Sequence, residues 1–183
     1  MLKNDATLFP VRAARWYVPT TKLGCGEPTC KSSQGDSYYT APNPAFGANF
    51  TYYLPEGLQT AKDVRREAEA KLEAENQDVK FIGVEKAIDE KHEDAPIIIF
   101  TVKNRNGEIV RHIDAPAEAG FHRVAWNLRY PALDAWTPAV DGEQYSEGAG
   151  VLVVPGTFTV SMQQRVDGVL TDLNQTQSFE VVS

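Results

Sequence analysis

The second half of the chain, from residue 97 onward, alternates apolar and polar residues in short runs. Alternation puts successive side chains on opposite faces of a strand, so each run predicts a strand with one buried face. Strands at such short intervals, with turn residues between them, are typical of a β-sandwich. The predicted strands cover residues 97–103, 108–113, 121–128, 151–154, 157–165 and 170–182.

Turn residues separate these strands. Asn106-Gly107 predicts a hairpin whose turn needs positive φ angles, and Asp167-Gly168 predicts another hairpin. Pro155-Gly156 fits the two middle positions of a type II turn. Trp126 is on the strand predicted over residues 121–128, and we expect it to be a core anchor between two sheets.

Residues 59–95 have a different pattern, which predicts two helices. The stretch from Ala61 to Glu75 is rich in strong helix formers, and Thr60 with Asp63 fits a capping box at its start. A second helix is predicted from Val84 to Lys91. The apolar stripes are narrow, so we expect both helices to lie on the surface of a larger body. The stripes consist of Val64, Ala68 and Leu72 in the first helix and Val84, Ala87 and Ile88 in the second.

The first 58 residues are loop-rich and contain three β-prone segments, over 7–12, 15–18 and 49–54. Residues 19–46 are dense in Gly, Pro, Ser, Thr and Asn, which predicts a long ordered loop. Loops of this length usually lie on a partner surface or on a neighbouring domain.

These patterns predict one compact, mainly β domain with three parts. Residues 1–58 form a loop-rich segment with early strands that pack on the sandwich. Residues 59–95 form a helical insertion, and residues 96–183 form the main β-sandwich block.

The charge and the apolar content of the chain limit the kinds of partner that we expect. The formal net charge is -7 and the sequence pI is near 5.0. A protein with this negative charge repels a polyanion, so no nucleic-acid partner is expected. No apolar run approaches the roughly 20 residues that a membrane-spanning helix needs, so no transmembrane segment is expected. The first residues lack the apolar core of a signal peptide. Either the protein is cytosolic or the chain belongs to a longer protein, and we favour the second interpretation.

Two cysteines, Cys25 and Cys30, lie in a Gly/Pro-rich loop. A disulfide between them would suit an exported protein and is the favoured interpretation. Two free thiols are the next alternative. A zinc site needs about four ligands, and no other Cys or His lies close enough in sequence to suggest the rest.

Residues that could carry chemistry are few. His112 and His122 fall on predicted strands without metal-ligand spacing, and no nucleophile motif or phosphate-binding loop is present. Acidic residues gather with Trp136 and Tyr145 only in the loop over residues 131–150, where a sugar site is one interpretation and a solvated loop is the favoured one. These acidic residues are Asp134, Asp141, Glu143 and Glu147.

Aromatic residues occur in three adjacent pairs, Trp16-Tyr17, Tyr38-Tyr39 and Tyr52-Tyr53. In a strand, one member of such a pair can pack inward while the other faces outward. Outward rings can cover a sheet edge, stack on sugar rings or dock on a neighbouring domain.

Three segments resemble a known pattern: residues 100–111, the stretch from Gly120 to Arg129, and residues 154–160. They contain a strand followed by Asn-x-x-Gly and Val-Arg, then Gly-x-x-x-Val-x-Trp-Asn, then Pro-Gly-x-Phe-x-Val. This order resembles FlgD-type and fibronectin-III-like immunoglobulin modules. The resemblance implies an immunoglobulin-like β-sandwich, with Trp126 as a residue of the fold.

The likeness extends further when three more segments are included. They are the stretch from Leu8 to Arg12, residues 47–55 and the helical insertion. The chain resembles the C-terminal region of bacterial sortilin-like β-propeller proteins with BNR repeats, which are often labelled glycosyl hydrolases. This resemblance implies an exported protein, periplasmic or secreted, whose propeller precedes this chain and is its partner.

We therefore expect a non-catalytic accessory domain, not an enzyme, with no catalytic, cofactor-binding or metal-binding residue and no cofactor. The first alternative is a carbohydrate-binding module that uses Trp136, Tyr145, Tyr38 or Tyr39. The second is a hydrolase, which would need a pair of carboxylates in a cleft.

Overall fold

The computed structural model describes residues 5–17, 35, 37, 39, 45–132 and 150–183. Strands predominate in this part of the chain, and two helices lie between the third and fourth strands, so the expected mainly β fold is confirmed. The elements are β1 (Thr7–Leu8), β2 (Ala14–Arg15), β3 (Ala48–Leu54), α1 (Ala61–Ala74), α2 (Val84–His92), β4 (Ile97–Asn104), β5 (Ile109–Ala115), β6 (Gly120–Trp126), β7 (Gly156–Val166) and β8 (Val169–Val182).

The strands form two sheets. The smaller sheet has the order β1-β3-β6, and the larger sheet has the order β2-β8-β7-β4-β5. All neighbours run antiparallel except β2 and β8, which are parallel. Strands β8, β7 and β4 therefore lie in the interior of the larger sheet.

The inner faces of the two sheets meet in an aromatic core. Every second residue of β3 is buried, which gives the smaller sheet one apolar face. From that face, the Phe50 ring lies 5.6 Å from Phe100 and 5.6 Å from Phe179, both on the larger sheet. Such tilted and edge-on contacts are the favoured arrangements of aromatic rings. The contacts join the two sheets into one sandwich.

Gly47 is required where the chain enters β3. Its φ is 110°, and a Cβ atom there would lie 1.8 Å from the carbonyl oxygen of Trp126. Only glycine allows both the positive φ and this approach of two backbones. The residue thus fixes the start of β3 against the end of β6.

The turns differ from the sequence predictions in two places. At the β4–β5 hairpin the φ of Gly107 is positive, at 83°, but that of Asn106 is not. A side-chain oxygen of Asn104 accepts from the amides of Asn106 and Glu108 and holds the turn in a longer form. Gly156 begins β7 without a positive φ, so the predicted type II turn at Pro155-Gly156 is wrong.

Two strand predictions in the second half of the chain also need correction, and of the β-prone segment over residues 7–12 only Thr7–Leu8 forms a strand. The segment over residues 151–154 forms only a single bridge, between Leu152 and Arg129, and Val153 is its one fully buried side chain. The strand predicted over residues 121–128 ends at Trp126, since Leu128 has a φ of 57° and turns the chain out of the strand. The Asp167-Gly168 hairpin has positive φ at both residues, as the sequence indicates.

Helices α1 and α2 form a hairpin held by polar contacts. Thr60 and Asp63 form the expected capping box at the start of α1. The Arg65 guanidinium bridges α1 to α2 through Glu90, with an Nε–Oε1 distance of 2.7 Å. This contact lowers the pKa of the Glu90 carboxyl group. Neither helix contains a buried residue, so the sandwich core does not extend into the helical hairpin.

Candidate binding surface

Trp126 is part of the core and is only 1% exposed. Its ring packs edge-on against Phe158 and Phe179, with centroids 5.4 and 6.3 Å away. The indole Nε1 donates a hydrogen bond to the carbonyl oxygen of Arg129 at 3.0 Å, so its polar group is satisfied. The side chain is structural and does not reach a surface site.

The described histidines all engage in local hydrogen bonds. A ring nitrogen of His122 lies 2.8 Å from the carbonyl oxygen of Glu118, and one of His112 lies 3.0 Å from the hydroxyl of Thr101. A ring nitrogen of His92 lies 2.9 Å from the carbonyl oxygen of Ile88. Within residues 5–17, 45–132 and 150–183, no group of three or more metal-ligating side chains occurs.

The Tyr52-Tyr53 pair is divided between the two faces of β3. Tyr52 is fully buried, and its hydroxyl donates to the carbonyl oxygen of Pro116 at 2.6 Å. Burial, and to a lesser degree the carboxylate of Glu118, raises the pKa of Tyr52 above its ordinary value. Tyr53 points to the opposite side, on the outer face of the smaller sheet.

Register on the smaller sheet brings three aromatic rings together on this outer face. Tyr53 pairs with Phe121 across β3 and β6, and their ring centroids lie 4.9 Å apart. Phe9 follows β1 and stacks on Phe121 at 6.0 Å. Phe121 is 63% exposed despite these contacts. We call Phe9, Tyr53 and Phe121 the aromatic platform.

A polar depression of about 320 Å³ adjoins the platform on the same side of the sheet. The Arg123 Nε donates to the hydroxyl of Thr51 at 3.2 Å, which orients the guanidinium along the sheet. Arg12 also lines the depression, and none of the lining residues is acidic. We call this depression the arginine pocket; it is lined by Pro10, Arg12, Ala13, Gly47, Asn49, Thr51 and Arg123.

The helical hairpin is a second exposed surface. Phe81, in the connection between the helices, is 78% exposed. The apolar positions that the sequence assigns to the helix stripes are exposed as well, apart from the half-buried Leu72. Large apolar side chains that gather on one small element mark a contact surface more often than isolated ones do.

The ligand candidates from the sequence are only partly described. Tyr39 is 84% exposed. Trp136, Tyr145, Tyr38, Cys25 and Cys30 lie outside the described residues, as do the four acidic residues of the loop over residues 131–150. Sequence reasoning missed Phe9, Phe121 and the two arginines, which only the strand register brings together.

No helix in the described part of the chain is long and apolar enough to cross a membrane.

The fold and its surfaces define a mainly β, two-sheet protein with a two-helix insertion. A scan of protein-family models finds no match, and neither do searches of the curated proteins and of the solved structures.

Proposed function

We propose that this chain is a non-catalytic interaction domain of a larger exported bacterial protein. The helical hairpin would contact a neighbouring domain of that protein, the β-propeller that the sequence resemblance implies. The observation that carries the proposal is the exposure of the apolar side chains of the helical hairpin, which has no buried residue of its own.

The construction of the helical hairpin supports this role. Arg65 lies between Glu69 and Glu90, and the Glu93 carboxylate accepts from the amide of Ala61 at 2.7 Å. These contacts hold the two helices together by their polar groups. The apolar side chains are then free to pack against another body, where their burial contributes about 25 cal/mol per Å².

The hydrogen bonds of several polar side chains within the fold also support an interaction role. Trp126, Tyr52 and His122 each direct a polar atom to a backbone carbonyl of the same domain. These side chains contribute to the fold, so the proposed contact is assigned to the apolar side chains that face solvent.

Site-specific photo-cross-linking in the complete exported protein tests the proposal. A photo-reactive phenylalanine analogue replaces Phe81, and the same analogue replaces Ile109 as a control. Ile109 is also exposed, but it lies by the β4–β5 turn, at the other end of β4 from the helices. We expect the analogue at position 81 to cross-link to a peptide from another domain of the same protein, and the control to give none.

Cross-links from position 81 that stay within this chain would overturn the proposal. A reading frame that encodes no further domain would overturn it as well. Equal cross-linking from position 109 would show that the contact is not specific to the helical hairpin.

A further inference from the structure

The outer face of the smaller sheet carries two kinds of surface side by side. The aromatic platform occupies one end, and the arginine pocket occupies the other. Phe121 and Arg123 lie two residues apart on the same face of β6, which separates them by roughly 7 Å. A single small ligand can therefore touch both at once.

The aromatic platform offers apolar area to solvent at its end of the sheet face. Phe121 contacts both Phe9 and Tyr53 and still leaves more than half of its surface exposed. The neighbours fix the orientation of its ring, so little side-chain entropy is lost when a ligand stacks on it.

The arginine pocket is positive in a protein whose net charge is -7. Neither Arg12 nor Arg123 takes part in the ion pairs found within the described residues. Asn49 and Thr51 add neutral hydrogen-bonding groups beside the two guanidinium groups. A carboxylate would be complementary to this pocket, because guanidinium groups bind carboxylates with strong charge-assisted hydrogen bonds.

We propose that the aromatic platform and the arginine pocket together bind a short acidic oligosaccharide. One sugar ring stacks on Phe121 and Tyr53, and the carboxylate of the adjoining uronic acid pairs with Arg12 and Arg123. Asn49 and Thr51 hydrogen-bond with the sugar hydroxyls. The inference concerns a different surface from the helical hairpin, so it does not depend on the function proposed for the hairpin.

The other anionic ligands fit this surface less well. Single-stranded nucleic acid also stacks on aromatic rings, but it needs a cationic groove that follows its backbone, whereas two guanidinium groups lie here. An acidic peptide in extended form adds to a strand edge. Among the described strands β6 has such an edge, but the platform and the arginine pocket lie on the face of the sheet.

Titration of the ¹⁵N-labelled chain with two matched sugars tests the proposal. The probes are cellobiouronic acid, in which glucuronic acid is linked to glucose, and cellobiose, which lacks the carboxylate. We expect amide signals of β3 and β6 to shift with both sugars. The acidic sugar should bind at least about tenfold more tightly, since its carboxylate gains charge-assisted hydrogen bonds.

Three variants assign the contacts. Phe121→Ala should abolish binding of both sugars, because it removes the stacking surface. Arg123→Gln should lower the affinity for cellobiouronic acid and leave that for cellobiose unchanged, and the amide spectrum shows directly whether each variant is folded. Ile109→Ala, on the larger sheet, should bind both sugars like the parent chain.

Several results would overturn the proposal. They are equal affinity for the two sugars, shifts confined to residues outside β1, β3 and β6, and no shift with either sugar. A dimer in sedimentation that Phe121→Ala dissociates would assign this face to self-association and would overturn it too.

Discussion

Individual residues in this protein act mainly through the backbone they approach or the carbonyl they reach. Gly47 allows β3 to begin against the carbonyl of Trp126, and Tyr52 directs its buried hydroxyl to the carbonyl of Pro116. Both residues join segments that are distant in sequence. Their effects on stability should therefore be large compared with those of surface positions.

Replacing Gly47 with alanine should destabilise the fold by more than about 2 kcal/mol. The new Cβ would meet a backbone oxygen that cannot move without shifting β6, and the positive φ adds strain. Urea unfolding measures the loss. Gly156→Ala is the matched control, because no atom lies within 4 Å of its Cβ position, and its stability should change by less than about 0.5 kcal/mol. Equal effects of the two substitutions would contradict this account of Gly47.

Tyr52 should make the fold sensitive to alkaline pH. Its pKa is raised in the folded state, so its contribution to stability is complete below the unfolded pKa of about 10 and is lost as pH rises further. The loss approaches roughly 1.4 kcal/mol for each pH unit above that value.

The measurement is urea unfolding at several pH values between 9 and 11. Tyr52→Phe should be less stable than the parent chain near neutral pH, by about 1 kcal/mol for the lost hydrogen bond. The deficit should shrink as pH rises, since phenylalanine does not titrate. Phe50→Leu perturbs the same core without removing an ionisable group and should keep its deficit. An unchanged deficit for Tyr52→Phe would contradict the raised pKa.

At the scale of elements, alternation and helix propensity were enough to predict the sandwich and its insertion. The capping box at Thr60 and the Asp167-Gly168 hairpin also follow from local sequence, because a few adjacent residues determine their geometry. Local sequence did not predict the form of the β4–β5 turn, because that form depends on the side chain of Asn104.

Local sequence could not predict the proposed binding surface either. Alternation predicts that Tyr52 and Tyr53 face opposite sides, but it does not state which residues of other strands lie beside Tyr53. Phe9 and Phe121 become its neighbours only through the registers of β1 with β3 and of β3 with β6. Register depends on the packing of the whole sheet, which local sequence does not determine.

The helical insertion should be dispensable for folding. Neither helix has a buried residue, so replacing residues 60–95 with a short Gly/Ser linker should remove no core contact. We expect the free energy of unfolding to stay within about 1 kcal/mol of that of the parent chain, because loop closure depends only weakly on loop length. Met162→Ala, in the core of the larger sheet, should cost about 2–5 kcal/mol and shows that the assay detects such losses. Loss of cooperative unfolding in the linker variant would contradict the surface position of the insertion.

At the scale of the whole molecule, the described part of the chain presents two distinct surfaces. One is the helical hairpin, with exposed apolar side chains, and the other is the outer face of the smaller sheet, with aromatic rings and guanidinium groups. The overall negative charge keeps most polyanions away, while the arginine pocket provides local attraction for a single carboxylate. The proposed roles therefore rest on surfaces and not on a reactive centre.

The central claim is that the sandwich forms the folded core and the two helices lie on its surface. Amide hydrogen exchange of the chain tests this claim most directly. Amides of the central strands β4 and β7 should exchange only by global unfolding. Those of α1 and α2 should exchange on the order of a thousandfold faster through local opening, because neither helix has a buried residue. Helix amides as slow as those of β4 and β7 would contradict the account, since they would show the helices to be part of the folded core.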